Sequence, residues 1–115
     1  MFESLETPCL ILDRQRLQRN ADAMLSRAAE LGVSLRPHLK TSKSERVGKT
    51  AKAGDTSGIT VSTIKEAEYF ARAGYNDILL AVGITPNKFP RVASLSNYMG
   101  EPLLLVIDSL AMAHQ

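Results

Sequence analysis

Apolar residues in the first third of the chain recur three or four positions apart, the spacing of one face of an α-helix. This stripe consists of Leu17, Ala21, Met24, Leu25, Ala28 and Leu31. Asp13 stands where an N-cap is expected, and Gly32 stands where a left-handed C-cap would end the helix. We therefore predict an amphipathic helix whose methionine and leucine stripe lies in the hydrophobic core.

Short apolar runs occupy much of the remaining chain, and patterns typical of helices separate them. The sequence predicts strands at 8–12, 33–40, 59–62, 78–82 and 103–107, and further helices at about 43–53, 64–74 and 86–99. The runs at 78–82 and 103–107 are apolar on both faces, which favours strands buried in a parallel sheet. Alternation of strands with helices is typical of parallel βαβ units, so the predicted fold class is α/β.

Local signals refine the predicted helix boundaries. Two stretches have the spacing of a capping box, in which a hydroxyl residue and a glutamate three positions later close the first helical turn. They run from Ser42 to Glu45 and from Thr63 to Glu66. Residues 54–58 are predicted to form a loop. Pro90 leaves the start of the last long helix open, because proline is tolerated only in the first turn.

The segment at 35–40 changes from an apolar strand pattern to a run of cations and hydroxyl groups. Along a strand, Arg36, His38 and Lys40 would share one face, with the intervening apolar residues on the other. Neighbouring cationic or titratable groups disfavour a protonated amine and make it nucleophilic near neutral pH. Such lysines form Schiff bases with carbonyl compounds, pyridoxal phosphate among them. The alternative is that Lys40 is a solvated surface lysine.

Two blocks of sequence resemble one enzyme family. Residues 35–43, Leu-Arg-Pro-His-Leu-Lys-Thr-Ser-Lys, with Thr-Pro-Cys-Leu-Ile-Leu-Asp upstream, resemble the start of the D-threonine aldolase and D-serine dehydratase family. Its members are fold-type III pyridoxal phosphate enzymes related to the alanine racemase N-terminal domain. In their pattern, Arg-Pro-His-x-Lys-Thr-His-Lys, the first lysine carries the cofactor and corresponds to Lys40. The second block, at 58–68, resembles the strand and helix that follow in that family.

The resemblance covers the chain from Thr7 to about Ser109. It implies that residues 1–115 are part of an alanine racemase-like N-terminal domain, a TIM-type (β/α)8 barrel. Because such a barrel takes about 250 residues, the barrel would be incomplete. A strand within residues 1–13 would then belong to a missing β domain. Ser42 stands where many members have histidine, which leaves the aldolase or dehydratase subtype open.

The resemblance also implies the cofactor and the partners. Pyridoxal 5'-phosphate is the implied cofactor, and a small D-amino acid is the implied substrate. A divalent metal is implied for the aldolase and dehydratase branch, with its ligands outside this sequence. Full-length relatives are implied to be homodimers.

Catalytic groups of α/β barrels lie at the carboxyl ends of the strands, so residues that end the predicted strands would face one mouth. These are Lys40, Ser62, Gly83 and Asp108. We predict Lys40 as the catalytic residue, and Lys40, His38 and Arg36 as the cofactor-binding residues. His38 could instead be a structural histidine, and Arg36 an interior ion-pair or positioning residue. Helix capping is the first role expected of Asp108, Ser62 and Thr63.

Composition and charge exclude several other classes of function. The chain is 44% hydrophobic and 23% charged, as expected of one soluble globular unit. Its 14 basic and 12 acidic residues give too small an excess for a nucleic-acid footprint. No apolar run is long enough to span a membrane, and the first residues lack the pattern of a secretion signal. The single cysteine, Cys9, excludes an internal disulfide and favours a reducing cytoplasm. Two histidines are too few for a metal site, so none is predicted.

The predicted function is therefore that of a pyridoxal phosphate-dependent lyase segment acting on D-amino acids, of the D-threonine aldolase or D-serine dehydratase type. Two alternatives stay open. One is an amino-acid racemase-like protein, and the other is a non-catalytic pyridoxal phosphate-binding or inert truncated domain. The short length favours the inert domain, because an unclosed sheet leaves apolar edges uncovered and the chain marginally stable.

Overall fold

A three-stranded parallel sheet forms the centre of the computed structural model, which describes residues 2–51 and 58–115. Its strands are β1 (Ile59–Val61), β2 (Ile78–Gly83) and β3 (Leu104–Val106), in the spatial order β1-β2-β3. In register, Thr60 lies beside Leu79, and Leu79 lies beside Leu104. The predicted α/β class and parallel pairing are confirmed. The predicted loop at 54–58 and the predicted helix end at residue 53 lie outside the described residues, apart from Gly58.

Helices precede, connect and follow these strands in the described residues. They are α1 (Arg14–Glu30), α2 (Glu45–Ala51), α3 (Ile64–Arg72), α4 (Phe89–Met99) and α5 (Leu110–Ala113). A single 3-10 turn, Pro86–Lys88, leads into α4, so Pro90 falls in the first turn of that helix, where its missing N–H costs nothing. Within the described ranges, no helix has both the length and the apolar character needed to cross a membrane.

The main hydrophobic core lies between the sheet and helix α3. Phe70 is fully buried, as are the strand residues Ile59, Val61 and Ile78. The Thr63 hydroxyl caps α3 by accepting a hydrogen bond from the backbone N–H of Glu66 at 3.1 Å. This cap and the spacing of the apolar residues explain why the predicted helix forms and packs one face on the sheet.

Residues 33–40 do not form the continuous strand that the apolar pattern predicts; they contain isolated bridges. One bridge pairs His38 with Thr60 in parallel orientation. Thr60 donates its N–H to the Pro37 carbonyl, and Leu39 donates its N–H to the Thr60 carbonyl, both at 2.9 Å. The ladder is interrupted because Pro37 has no N–H to donate. The segment nevertheless runs alongside β1.

The predicted strand at 8–12 is also not formed, and its residues have no regular structure. Leu10 is fully exposed. A strand is stable only when its backbone groups pair with a neighbour, and this segment pairs with no strand among the described residues. Its predicted membership of a separate β domain stays a prediction.

The predicted core position of the α1 stripe is wrong for Met24 and Leu31. Ala21 and Ala28 are buried, but Met24 is 56% exposed and Leu31 is also exposed. Helix α1 contacts the short helix α2 and contributes nothing to the main core. The cap residues of α1 were predicted correctly, since the Asp13 carboxylate accepts from Arg16 N and Gly32 has a φ of +64°.

The two strands predicted to be buried on both faces are covered on only one. Along β2, Ile78 and Leu80 are buried, whereas Val82 is exposed. Along β3, Leu104 and Val106 are exposed, although Leu105 packs against the core. The core helices cover one face of the sheet; on the other face Leu104 is exposed, whereas Thr60 is buried. We call the face that carries Thr60, Leu79 and Leu104 the open face.

Candidate functional site

The candidate site lies where the chain leaves the sheet after residue 39. Because bridged residues on neighbouring parallel strands share a face, His38 lies on the open face beside Thr60. The next residue, Leu39, points the opposite way and is buried in the core. Lys40 then follows at the start of a turn and is exposed. The predicted separation of polar and apolar residues is therefore confirmed for His38 and Leu39.

His38 connects the backbone of Lys40 to the carboxyl end of β1. The backbone N–H of Lys40 donates to Nδ1 of His38 at 3.2 Å. The second ring nitrogen, Nε2, lies 3.4 Å from the hydroxyl oxygen of Ser62. Since Nδ1 accepts a hydrogen bond, the neutral ring carries its hydrogen on Nε2, which donates to Ser62. His38 thus holds Lys40 against the end of β1.

The turn formed by residues 40–43, which we call the lysine turn, is held to the start of α3. Lys43 donates its backbone N–H to the Leu39 carbonyl at 2.9 Å. Its ammonium lies 3.2 Å from Oε1 of Glu66, and Oε2 of Glu66 accepts the N–H of Ser62 at 2.8 Å. Partial burial acts to raise the pKa of Glu66, but the Ser62 hydrogen bond and the Lys43 charge outweigh it and lower this pKa.

The predicted capping box at Ser42 is wrong by two positions. The Ser44 hydroxyl accepts from the N–H of Val47 at 3.4 Å, and helix α2 begins at Glu45. The Ser42 hydroxyl instead donates to the Leu39 carbonyl at 3.5 Å. Lys43 is the reason for this shift, because its φ of +44° is incompatible with the first turn of a right-handed helix.

The lysines near this site differ in their partners. Lys43 pairs with Glu66, and Lys49 pairs with Glu45. The hydrogen bond and negative charge of Glu45 raise the pKa of Lys49 and keep it protonated. Within residues 2–51 and 58–115, the side-chain amine of Lys40 takes part in no hydrogen bond or ion pair. Lys40 is therefore the lysine of this turn whose amine is available to an incoming group.

The structure does not bring Arg36 together with Lys40. The Arg36 guanidinium forms two hydrogen bonds with the Asp77 carboxylate, at 2.7 and 3.0 Å. Asp77 directly precedes β2, so this ion pair lies at the amino end of the sheet, opposite the lysine turn. The geometry is that of a bidentate ion pair between the segment beside β1 and the residue that precedes β2. The predicted contact of Arg36 with a cofactor stays a prediction.

The other residues predicted at the mouth have mixed roles. A Cβ atom placed on Gly83 would lie 3.7 Å from Oδ2 of Asp108, so the ends of β2 and β3 adjoin. The predicted capping role of Asp108 is wrong, because the neighbouring Ser109 caps α5 by accepting from the N–H of Met112. Thr63 is a cap as predicted, whereas Ser62 contacts His38.

Sequence reasoning missed the pairing of Lys43 with Glu66. The capping-box pattern identified Glu66 as a residue that bonds back to the backbone near the start of α3, and it does so at Ser62. Nothing in the local pattern indicated that its second oxygen would reach a residue 23 positions away. In the part of the chain that the structure describes, no group of three histidine, cysteine, aspartate or glutamate residues could hold a metal ion.

The sequence of this chain is similar to those of a known protein family and of several enzymes. Residues 12–115 match the family model described as alanine racemase, N-terminal domain. The chain is 47% identical over 110 residues to D-threo-3-hydroxyaspartate dehydratase from Delftia sp. strain HT23, covering 96% of this chain and 29% of the relative. It is 39% identical over 92 residues to D-serine dehydratase from Dictyostelium discoideum, covering 76% of this chain and 23% of that protein.

Solved structures show the same relationship. The Delftia dehydratase superposes with a TM-score of 0.90, covering 96% of this chain and 29% of that chain. An alanine racemase-like protein from Idiomarina loihiensis gives a TM-score of 0.87 at 39% identity, covering 96% of this chain and 30% of that one. The chain thus spans less than a third of the length of these relatives. The predicted fold, the N-terminal portion of a TIM-type barrel, is confirmed. This protein belongs to the alanine racemase N-terminal domain family.

Proposed function

We propose that this chain is the N-terminal barrel segment of a pyridoxal phosphate-dependent lyase acting on D-amino acids, and that Lys40 holds the cofactor. The names of the relatives support the reaction class, since they are dehydratases and aldolases of D-amino acids. The observation that carries the proposal is the unpaired Lys40 amine at the carboxyl end of the sheet, on a turn whose backbone is fixed by His38.

The residues present fit an aldehyde cofactor on chemical grounds. A primary amine forms a Schiff base with an aldehyde, and no carboxylate among the described residues forms an ion pair with the Lys40 amine. Lys43 and Lys49 lack this freedom, because Glu66 and Glu45 bind them. When bound, pyridoxal phosphate acts as an electron sink for the carbon next to the substrate amine.

In this proposal, the chain's own residues hold the cofactor and orient the lysine that carries it. Lys40 would attach the cofactor through Nζ and give it up to the amine of an incoming amino acid. His38 would orient Lys40 through the backbone and present its ring on the open face. We assign Arg36 a positioning role in this proposal, since its pair with Asp77 ties the segment before Lys40 to the strand β2.

The finer assignments are proposals of the same kind. Loss of water and retro-aldol cleavage both begin from a D-3-hydroxy amino acid, and Ser42 does not favour one over the other. A divalent metal would bind residues outside this segment. We further propose a cytoplasmic location, supported by the single cysteine, and a homodimer for the complete enzyme. Amino-acid racemisation is the alternative within the same cofactor chemistry.

The exposed apolar side chains of the sheet support a second candidate, an inert or merely cofactor-binding domain. Val82, Leu104 and Val106 are all exposed on strands that an intact barrel would enclose. A chain of this kind could bind pyridoxal phosphate at Lys40 without turning over a substrate. Activity must therefore be tested with the remainder of a barrel present.

The test is turnover by a graft in which residues 1–115 replace the corresponding segment of the Delftia dehydratase. The TM-score of 0.90 and the 47% identity make this exchange structurally conservative. We expect the graft to release ammonia from D-threo-3-hydroxyaspartate, and we expect the Lys40→Ala graft to fold but to be inactive. A Lys49→Ala graft is the matched control, because Lys49 lies on α2 and pairs with Glu45.

Four results would redirect the proposal. Release of glycine and an aldehyde from D-threonine would identify the aldolase branch, and conversion of one enantiomer into the other without ammonia would identify a racemase. Equal activity of the Lys40→Ala and unaltered grafts would refute the assignment of Lys40. Cofactor binding without turnover in a folded graft would favour the inert domain.

A further inference from the structure

We infer that Glu66 is a positioning residue that fixes the lysine turn, acting through its ion pair with Lys43 and its hydrogen bond with Ser62. This inference rests on the proposed function of Lys40. Glu66 belongs to helix α3 and does not touch Lys40 itself. Its effect on Lys40 is conveyed by the two ends of the segment 38–43.

The backbone of Lys43 shows that the lysine turn needs an external restraint. Lys43 has a φ of +44°, and it is the only non-glycine residue with positive φ in the ranges 2–51 and 58–115. The left-handed conformation brings Cβ close to the following carbonyl oxygen, so a lysine adopts it only where the surroundings hold it there. Its N–H bond to Leu39 closes the turn but does not remove this strain.

The Glu66 carboxylate supplies that restraint, and its two oxygens have separate partners. Oε1 lies 3.2 Å from the Lys43 ammonium, and Oε2 accepts the Ser62 N–H at 2.8 Å. Only 11% of the Glu66 side chain is exposed, compared with 65% for Lys43. A carboxylate with this little access to water depends on these partners, so the ion pair persists better than one between two solvated side chains.

Together with the backbone, these contacts form a closed ring around Lys40. From Glu66 it passes through the Ser62 N–H to the Ser62 hydroxyl, which lies beside Nε2 of His38. His38 accepts the N–H of Lys40, and the turn returns through Lys43 to Glu66. Lys40 is thereby fixed on both sides by its backbone while its own amine stays free.

The first experiment measures hydrogen exchange of the Lys43 amide in the 115-residue chain, relative to the Ala67 amide inside α3. In Glu66→Gln the amide oxygen can still accept from Ser62, but the charge that attracts Lys43 is gone. We expect exchange at Lys43 to become about fivefold faster, as release of one left-handed residue would produce. Glu68→Gln is the matched control, because Glu68 lies on the same helix and pairs with Arg91.

Two substitutions of Lys43 separate the ion pair from the backbone strain. Lys43→Ala removes the amine but keeps a side chain that disfavours positive φ. Lys43→Gly removes the amine and also removes the strain, because glycine adopts this conformation freely. We expect the alanine variant to loosen the turn and the glycine variant to restore much of its order.

The second experiment connects the turn to the cofactor lysine. Each variant is treated with pyridoxal phosphate and borohydride, and labelling of Lys40 is expressed relative to Lys88 in the same molecule. We expect this ratio to fall about fivefold in Glu66→Gln and Lys43→Ala, and to recover in Lys43→Gly. A ratio that falls equally in Lys43→Ala and Lys43→Gly would contradict the role given to backbone strain.

The inference and the proposed function fail in different ways. If the unaltered chain shows no preference for Lys40, the proposed function is wrong, while the exchange data still decide whether Glu66 holds the turn. If Lys43 exchanges equally fast in the unaltered chain and in Glu66→Gln, the inference is overturned whatever the labelling shows.

Discussion

Substitution of Gly58 by alanine should destabilise the protein far more than the same change at Gly100. Both glycines are left-handed, with φ of +71° and +72°. A Cβ on Gly58 would lie 2.3 Å from the Asp77 carbonyl oxygen and 2.4 Å from Nη1 of Arg36. A Cβ on Gly100 would meet nothing within 4 Å. The pair therefore separates backbone strain from close packing.

The expected losses of unfolding free energy follow from the backbone strain and the close packing. Left-handed backbone costs an alanine about 1 kcal/mol at either position. Crowding at Gly58 adds about 1 to 3 kcal/mol, because the nearest atom is a backbone oxygen of the strand-entry segment and cannot rotate away. Gly58→Ala should then lose about 2 to 4 kcal/mol, a large share of the roughly 5 to 15 kcal/mol that stabilises a domain.

Urea unfolding at neutral pH, followed by circular dichroism, measures both losses. We expect the midpoint to fall much further for Gly58→Ala than for Gly100→Ala, with similar slopes for the two variants. Equal losses would refute the reasoning, because they would mean that the Arg36–Asp77 pair does not close against Gly58.

Three further predictions concern stability and its dependence on pH. Because the pKa of Glu66 is lowered in the folded state, its ionised carboxylate stabilises the fold at neutral pH, and this stabilisation is lost as the pH falls through the lowered pKa. The loss of unfolding free energy in Glu66→Gln, measured by urea unfolding, should therefore shrink between about pH 7 and pH 3. Phe70→Ala should cost about 3 to 5 kcal/mol because Phe70 is fully buried, whereas Tyr98→Ala, at an exposed position, should cost under about 0.5 kcal/mol in the same assay. Arg36→Lys should lose about 1 kcal/mol despite keeping its charge, since lysine cannot form the two parallel bonds to Asp77, and an unchanged midpoint would contradict that geometry.

The elements that the sequence predicts well are those whose signals are local. Helix α3 has its cap at Thr63, its inward residues and a left-handed glycine, Gly74, within one short stretch, and the predicted helix and its cap are both found. Helix α1 shows the limit of this reasoning. Its apolar stripe indicates a covered face, but the pattern cannot specify that the covering element is the short helix α2, which leaves Met24 exposed.

Pairing between distant segments was harder to predict for the same reason. The alternation at 33–40 identifies which residues face the core, yet one proline interrupts the ladder with β1. Lys40 could be selected because its neighbours in sequence form a motif. The contact of Lys43 with Glu66 could not be selected in this way. It depends on the position of α3 beside the lysine turn and on the positive φ of Lys43.

The most direct test of the account is to locate the lysine that reacts with pyridoxal phosphate. The folded 115-residue chain would be incubated with the cofactor, reduced with borohydride, digested and mapped by mass spectrometry, with Lys40→Ala as the control. The account predicts that the label lies on Lys40 and that Lys40→Ala loses it. Equal labelling of Lys40, Lys43 and Lys88 in the folded chain, with Lys40→Ala losing no more than the share of one lysine, would contradict it.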